Sequence, residues 1–243
     1  MNFREEYELH SHESGRLRAL AFAAFVVCVA MVVPGTAFGG DLRGRVRLPA
    51  AMSAGVALPN PYPGVVTSSA DGGARSAARL NADDAVISLV PVAGTPRPRA
   101  KRTIRAAELR QKNQAFAPRV LAVPVGATVS FPNDDPFYHN VFSYSAAKRF
   151  DLGRYGSGKS KDLTFDKPGL VKVFCEIHSD MVGYIAVLES DLFTMPARDG
   201  AYDIAGLAAG EYEVKVWHPD LSEWSSRVAI PESGAATLDI DLR

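Results

Sequence analysis

Val171-Lys-Val-Phe-Cys-Glu-Ile-His-Ser-Asp-Met181 is the stretch around which the rest of the chain is organised. Successive side chains of a strand point to opposite faces, so Val171, Val173 and Cys175 share one face. The two valines predict that this face lies against a core. Ser179, Asp180 and Gly183 are poor strand residues, so the chain must turn soon after Cys175. The pattern therefore predicts a strand that ends in an inward-pointing thiol and is followed by a tight loop.

Two further metal donors follow the thiol in this loop, and another lies upstream. His178 comes three residues after Cys175, Met181 comes three residues after His178, and His139 precedes a short apolar run. A short loop can bring its side chains round one ion, and His139 would arrive from the end of a neighbouring strand. A thiolate, two imidazoles and a weak thioether are the donors of a mononuclear blue-copper site. We expect Asn140 to link the two ligand-bearing segments through its amide.

The N-terminus predicts export. Residues 19–33 are apolar or small, Arg16 and Arg18 precede them, and Ala37-Phe-Gly39 offers the small residues that a signal peptidase reads. A basic flank, an apolar core and a small-residue cleavage site define a secretory signal, here residues 1–39, and we expect a periplasmic protein. The alternative is an uncleaved membrane anchor, but the run is shorter than the roughly 20 residues of a spanning helix.

Cleavage would leave Cys175 as the one cysteine of the mature chain, because Cys28 lies within the apolar run. A lone thiol in an oxidising compartment is a liability unless it is buried or ligated. A buried Cys, a His at a strand end or a loop Met is, taken singly, more often structural. Their clustering favours a metal site. Zinc is the rival metal, since Cys and two His also suit it, although a structural zinc site normally has a fourth Cys or His rather than Met.

Composition argues against several other functions. Lys+Arg and Asp+Glu both number 27, so no global field attracts nucleic acid. A copper oxidase or nitrite reductase needs additional copper ligands, and downstream of the signal only His139, His178 and His218 remain. Ser-His-Asp, P-loop and paired-Cys motifs do not occur in the sequence. We therefore expect a protein that is not an enzyme and has no substrate pocket.

Short strand-like runs, separated by Gly, Pro, Asn and Asp turn signals, predict an all-β fold, either an antiparallel sandwich or a barrel. The runs are 41–48, 85–91, 119–124, 128–131, 140–143, 162–165, 170–174, 184–188, 201–204, 211–217 and 237–242.

Four motifs resemble the cupredoxins, the small blue-copper proteins. They are Phe131-Pro-Asn-Asp-Asp-Pro136, Tyr138-His-Asn-Val141, Arg149-Phe-Asp-Leu-Gly-Arg-Tyr155 and Cys175-x-x-His178-x-x-Met181. The last is similar to the ligand loop of the amicyanin type, and the wider stretch resembles plastocyanin/azurin-like proteins of the bacterial methylamine utilization type. The resemblance covers a domain of residues 103–189 and implies a Greek-key sandwich with one type 1 copper ion. Its implied ligands are His139, Cys175, His178 and Met181.

A second resemblance concerns residues 190–243. Asp199-Gly-Ala-Tyr-Asp-Ile204 and Gly210-Glu-Tyr-Glu-Val-Lys-Val216 are similar to the carboxypeptidase-regulatory, prealbumin-like β-sandwich. The opening half of that sandwich would come from the β segment and loop of residues 40–102. We therefore expect one sandwich that is split, with the copper domain inserted in its middle, and residues 43–48 in the same sheet system as residues 211–217.

These observations predict a secreted type 1 copper protein that carries single electrons between redox partners. By analogy with cupredoxins, His178 would be the exposed ligand, and a redox protein would dock beside it. The alternative is a periplasmic copper chaperone or storage protein, although the Met-rich or His-rich tracts usual in such proteins do not occur in the sequence. We expect no nucleic-acid partner, and membrane contact only through an uncleaved signal.

Overall fold

Strands dominate the computed structural model, which describes residues 39–49, 80–96 and 107–243. The helical structure in these ranges is one 3-10 turn, Ala82–Asp84. The predicted all-β class is therefore confirmed. The expected signal helix of residues 1–39, most of the loop of residues 40–102 and the start of the predicted copper domain lie outside the described residues. No helix in the described ranges is long and apolar enough to cross a membrane.

The strands of the described part are, in chain order, β1 Gly40–Arg47, β2 Val86–Pro91, β3 Ala107–Glu108, β4 Arg110–Lys112, β5 Ala115–Ala117, β6 Val120–Pro124, β7 Ala127–Ser130, β8 His139–Tyr144, β9 Arg149–Tyr155, β10 Asp162–Phe165, β11 Gly169–Phe174, β12 Val182–Leu188, β13 Phe193–Thr194, β14 Ala201–Leu207, β15 Gly210–Trp217, β16 Trp224–Ile230, β17 Ala235–Thr237 and β18 Ile240–Asp241.

The central part of the chain forms a sandwich, called here the inserted sandwich, from strands β3 to β12. One sheet has the order β6-β12-β11-β8-β9, the other has the order β10-β7-β3, and β4 and β5 form a separate hairpin. Val171 and Val173 are 0% exposed and Cys175 is 5% exposed, which confirms the inward face predicted for this strand. They pack in one cluster with Phe131, Phe165 and other apolar side chains from both sheets. The site-bearing loop thus follows a strand that is fixed by a two-sheet core.

The two ends of the chain together form a second sandwich, called here the outer sandwich. Its sheets have the orders β14-β1-β17, with β18 also on β1, and β13-β2-β15-β16. β1 therefore lies in the sheet opposite β15 rather than beside it. Leu42 and Val46 of β1 nevertheless share one hydrophobic cluster with Tyr212 and Val214 of β15. The limits of the domains, at residues 102 and 189, stay predictions.

An ion-paired arginine and a small apolar cluster connect the two sandwiches. Arg119, just before β6, donates to Asp84 at 3.0 Å and to both carboxylate oxygens of Asp220 at 2.7 and 3.0 Å. Val86 of the outer sandwich packs with Val120 of the inserted one, and several other side chains join this cluster. The contacts come from residues in or next to β2, β6 and β15, so they join the β6 edge of the inserted sandwich to the outer sandwich.

Several strands were not expected from the sequence. β9 and β16 lie outside the predicted runs, and so do the two- and three-residue strands β3 to β5. The predicted run 237–242 is interrupted between β17 and β18. The interruption occurs because the N–H of Leu238 bonds to Arg43 at 2.8 Å, while the side chain of Asp239 accepts the N–H of Arg45 at 3.0 Å.

Candidate metal centre

The ends of two adjacent strands bring the predicted donors together. His139 is the first residue of β8, and Cys175 directly follows β11. These strands are antiparallel neighbours, and Phe174 pairs with Phe142 across them. His139 is therefore near the place where β11 ends, and the loop after Cys175 carries His178 over it. The fold thus places donors that are 36 residues apart in sequence at one end of the sheet.

Three of the four predicted ligands converge closely. Nδ1 of His139 lies 3.7 Å from Sγ of Cys175 and 3.1 Å from Nδ1 of His178. The three ligand atoms all lie within 4.8 Å of one another. Such spacings suit one ion with metal–nitrogen bonds of about 2.0 Å and a metal–sulfur bond of about 2.3 Å. In the part of the chain that the structure describes, this is the group of His, Cys and acidic side chains that could hold a metal.

The three donors differ in their access to solvent. His139 is 0% exposed and Cys175 is 5% exposed, whereas His178 is partly buried. The Phe137 ring lies 5.2 Å from the His139 ring and 5.7 Å from the His178 ring, and it covers the site edge-on. Phe137 is 37% exposed and Ile177 is 42% exposed. The partly exposed Phe137 ring and Ile177, the residue before His178, therefore form an apolar rim at the one donor that reaches towards the surface.

Met181 closes the loop that begins at Cys175. Its N–H donates to the carbonyl of His178 at 3.1 Å, and its side chain is 1% exposed in the same cluster as Cys175. Gly183 is next to this turn, and a Cβ there would lie 2.9 Å from the Cβ of Phe116 in β5. A glycine at this point lets the β4–β5 hairpin pack against the base of the loop. The thioether of Met181 as a ligand stays a prediction.

Asn140 connects the two donor-bearing segments. Its side-chain oxygen accepts the N–H of Glu176 at 2.6 Å, and its amide nitrogen donates to Asp151 at 3.3 Å. Asn140 is 1% exposed, so water does not compete freely for these bonds. The contact joins the residue after His139 to the residue after Cys175. Its effect on a bound metal stays a prediction.

A buried carboxylate contacts the metal site, and the sequence did not single it out. Oδ2 of Asp135 lies 2.8 Å from Nε2 of His139, and Asp135 is 4% exposed. The pKa of Asp135 lies below its ordinary value, although burial alone would raise it. Hydrogen bonds from the N–H of Gln114, the His139 ring and the N–H of Asn113 outweigh burial and lower this pKa. Asp135 therefore faces the metal site as a carboxylate.

The remaining histidine of the described residues, His218, has a separate structural role. His218, which is 2% exposed in the outer sandwich, donates through Nε2 to the carbonyl of Asn81 at 3.1 Å. Its Nδ1 accepts the N–H of Asp220 at 3.2 Å. Burial is the main reason that the pKa of His218 is lowered from its ordinary value. Both nitrogens of this ring are engaged in the fold, and the structure does not bring it to the metal site.

The donor set suits copper or zinc chemically. A buried thiolate and two imidazole Nδ1 atoms match the His₂Cys set of a type 1 copper site, with Met181 available in the same loop as a weak axial donor. The Asp135 contact also fits a cation, since its carboxylate places negative charge near the convergence point. The residues present therefore fit the copper ion implied by the sequence, and zinc is the alternative metal.

No protein-family model matches the chain, and no curated protein matches it either. Among solved structures, it is similar to a purple cupredoxin from Nitrosopumilus maritimus, at 27% identity over 33% of this chain and 98% of that one, with a TM-score of 0.31. It is similar to a copper-containing nitrite reductase from Thermus scotoductus SA-01, at 29% identity over 42% of this chain and 28% of that one, with a TM-score of 0.34. A Cu(I) amicyanin mutant matches at 20% identity over 41% of this chain and 98% of that one, with a TM-score of 0.32.

These three structures are named as a cupredoxin, a copper-containing nitrite reductase and a Cu(I) form of amicyanin. Because their TM-scores lie below 0.5, the choice of metal rests on the donors and not on these likenesses. The resemblance of residues 190–243 to carboxypeptidase-regulatory sandwiches stays a prediction.

Proposed function

We propose that this chain is a type 1 copper protein of the periplasm that carries single electrons between redox partners. The observation that carries the proposal is the convergence of Cys175 Sγ with the Nδ1 atoms of His139 and His178 within 4.8 Å at one end of a rigid sheet. A copper ion bound there would supply one-electron exchange between Cu(I) and Cu(II). The protein's part is to hold the donors and to limit access to them.

The surroundings of the donors favour small movements during electron transfer. His139 is held by Asp135, the segment after Cys175 is held by Asn140, and the turn to Met181 is closed by a backbone hydrogen bond. A donor set that is fixed on several sides keeps its geometry when the charge of a bound ion changes. This rigidity is what a one-electron carrier requires, because each ligand displacement adds to the barrier of the transfer.

The apolar rim at His178 supports the proposal that electrons enter and leave the site through this residue. Phe137 and Ile177 are exposed beside it, and Tyr138 is 65% exposed next to Phe137. Weak redox encounters use small interfaces, below about 1,200 Å². We therefore propose that a redox protein docks on this rim and exchanges electrons through the His178 ring. We propose no enzymatic reaction and no nucleic-acid partner.

The alternative of a copper chaperone or storage protein predicts easy release of the ion. The burial of His139 and Cys175 argues for retention instead, since an incoming acceptor thiol could reach neither donor directly. The two functions differ in an observable way. A carrier cycles between oxidation states with its copper in place, whereas a chaperone passes the ion to a competing ligand.

The test is to add Cu(II) to the purified full chain and to record its visible spectrum. An intense thiolate-to-copper band at roughly 600 nm is expected. Cys175→Ser should abolish the band, and His218→Gln, which alters the histidine outside the site, should keep it. Repeated reduction and reoxidation in the presence of a Cu(I) chelator should return the full band. A colourless protein that retains zinc would overturn the proposal, and loss of copper to the chelator in the first cycle would favour the chaperone.

A further inference from the structure

The contact between Asp135 and His139 fixes which nitrogen of the ring faces the metal site. The carboxylate of Asp135 can only accept, so Nε2 of His139, at 2.8 Å, carries the proton. The Nδ1 atom is then unprotonated, so its lone pair is available to a metal, and it points towards Cys175 and His178. The carboxylate thus sets both the tautomer and the direction of the ring, as in a carboxylate–histidine–metal triad.

The Asp135 carboxylate is itself held in place by the tip of the β4–β5 hairpin. Asn113 and Gln114 form this tip, with φ angles of 55° and 57°. Their N–H groups donate to Oδ1 and Oδ2 of Asp135 at 2.7 and 2.9 Å. Residues other than glycine adopt this left-handed conformation at a cost, so the tip is held by its surroundings. Two backbone donors therefore aim at a carboxylate that already faces His139.

The loop that carries Asp135 is anchored from its other side by Asn133. The N–H of Asp135 donates to the Asn133 side-chain oxygen at 3.0 Å. The amide nitrogen of Asn133 donates to the carbonyls of Phe137 and Tyr155 at 2.9 and 3.0 Å. Asn133 is 0% exposed. The loop from Asn133 to His139 is therefore a braced unit that fixes the position of the carboxylate.

The neighbouring acid, Asp134, differs from Asp135 in its hydrogen-bond partner and in its exposure to solvent. It is paired with Arg110 through both carboxylate oxygens, at 2.7 and 2.8 Å, and it lies at the surface. Among the described residues, the hydrogen-bond partners of the Asp135 carboxylate are two backbone amides and an imidazole, with no Arg or Lys. The charge of Asp134 is thus neutralised and solvated, whereas the charge of Asp135 is buried against a metal ligand.

We propose that Asp135 is a positioning residue for the metal site: it holds His139 with Nδ1 towards the ion and places a buried negative charge that favours the oxidised over the reduced state. This inference rests on the proposed function for its redox part. A buried charge interacts more strongly with Cu(II) than with Cu(I), because the oxidised ion has one more positive charge. The carboxylate therefore strengthens Cu(II) binding and lowers the reduction potential.

The test compares Asp135→Asn with Asp134→Asn in the full chain, since each variant removes one carboxylate from adjacent positions. Asp135→Asn should lower the Cu(II) affinity by about 10–100-fold. Its Cu(I) affinity should fall less, and a tenfold difference between the two losses appears as a rise in potential of about 59 mV. Asp134→Asn should leave both quantities near their wild-type values. Equal effects of the two variants would overturn the proposal, because they would show a general charge effect.

A second measurement needs neither copper nor a variant. Long-range ¹H–¹⁵N spectra of the metal-free chain report which nitrogen of each histidine is protonated. For His139 we expect a proton on Nε2 that exchanges slowly with water. An unprotonated or rapidly exchanging Nε2 would overturn the positioning role, even if Asp135→Asn did not fold. Absence of the copper band in the wild type would instead overturn the proposed function and, with it, the effect of Asp135 on the reduction potential. The protonation of His139 would still show whether Asp135 positions the ring.

Discussion

The N–H of Glu176 donates to the side-chain oxygen of Asn140 at 2.6 Å, which joins the loop after Cys175 to the strand that begins at His139. Asn140→Ala would leave this N–H without its partner. We expect a loss of about 1–3 kcal/mol in the free energy of unfolding, and a larger loss in the copper-loaded form, because the two donor segments separate. Urea unfolding of both forms measures this difference.

Ser145→Ala is a matched control for Asn140→Ala. The Ser145 hydroxyl accepts the N–H of Lys172 at 2.9 Å, so it links the end of β8 to β11 away from the donors. This variant should destabilise the metal-free and copper-loaded forms equally. The same equal loss in Asn140→Ala would contradict a role for Asn140 at the metal site.

Met181 can be tested by changing the donor while the volume is kept. Met181→Leu should alter the free energy of unfolding of the metal-free protein by less than about 1.5 kcal/mol, since the swap conserves volume. Its reduction potential should rise, because an axial donor is lost. Met181→Gln should keep the blue band and lower the potential, because an oxygen donor is harder than a thioether and favours Cu(II). Voltammetry of the loaded variants measures both shifts.

Met195→Leu provides the comparison, since Met195 packs at the junction of the two sandwiches rather than at the site. It should leave the potential unchanged. If Met181→Leu and Met181→Gln shift the potential no more than Met195→Leu does, Met181 is a packing residue and not a ligand.

Arg119 should contribute more to stability than an ordinary surface arginine. Arg119→Met leaves Asp84, which is 5% exposed, without its charged partner. Although partial burial opposes it, hydrogen bonding to Asp220 and the charges of Asp220 and Asp84 raise the pKa of Arg119. We expect a loss of about 1.5–3 kcal/mol, as for hydrogen bonds to charged groups. Calorimetry should also show the two sandwiches unfolding in more separate steps.

Arg198→Met is the control for the Arg119 prediction. Arg198 pairs with Asp83, the neighbour of Asp84, at 3.4 Å, and its side chain is 93% exposed. Exposed pairs contribute about 0–1 kcal/mol, so this variant should be almost neutral. Comparable losses in the free energy of unfolding for the two variants would show that the Arg119 contacts stabilise the fold no more than an exposed ion pair does.

His218 should make the stability depend on pH. Its pKa is lowered in the folded chain, mainly by burial, so the unfolded chain binds the proton more readily. The neutral ring therefore stabilises the fold above the ordinary pKa of 6.5, and this contribution is lost as the pH falls below that value. Protonation of Nδ1 would also break the bond from the N–H of Asp220.

The contribution of His218 is isolated by subtraction. The difference in free energy of unfolding between wild type and His218→Gln should shrink as the pH falls from about 7 to about 5. Contributions that do not involve residue 218 are the same in both proteins and cancel in this difference. A difference that stays constant across that range would contradict the prediction.

The main strands and the donor cluster could be predicted from the sequence because each is encoded locally. The alternation through Val171, Val173 and Cys175 predicts an inward face, and these residues are buried. In β15, Tyr212 and Val214 are likewise 0% exposed, as the alternation predicts. For the donors, the short spacing from Cys175 to His178 is enough to predict that they meet once the strand is placed.

Other features depend on contacts between distant parts of the chain and leave no local pattern. Asp134 and Asp135 both stand in a turn-like segment, and nothing local shows that one pairs with Arg110 and the other with His139. In β9, Phe150 and Leu152 alternate with polar residues, but Gly153 and Arg154 interrupt this pattern, and most side chains of the strand are exposed or half-buried. Its strand conformation comes from antiparallel pairing with β8.

The position of β1 sets the order in which the molecule can be completed during synthesis. β1 emerges first among the described strands, yet its partners β14, β17 and β18 come from the last part of the chain. Its edges stay without these partners while residues 107–188 are made, and open edges invite wrong pairing. The inserted sandwich contains its own sheets and core, so it can fold before the outer sandwich is complete. A chain cut short near its C-terminus would thus leave a folded inserted sandwich attached to an unpaired, aggregation-prone strand.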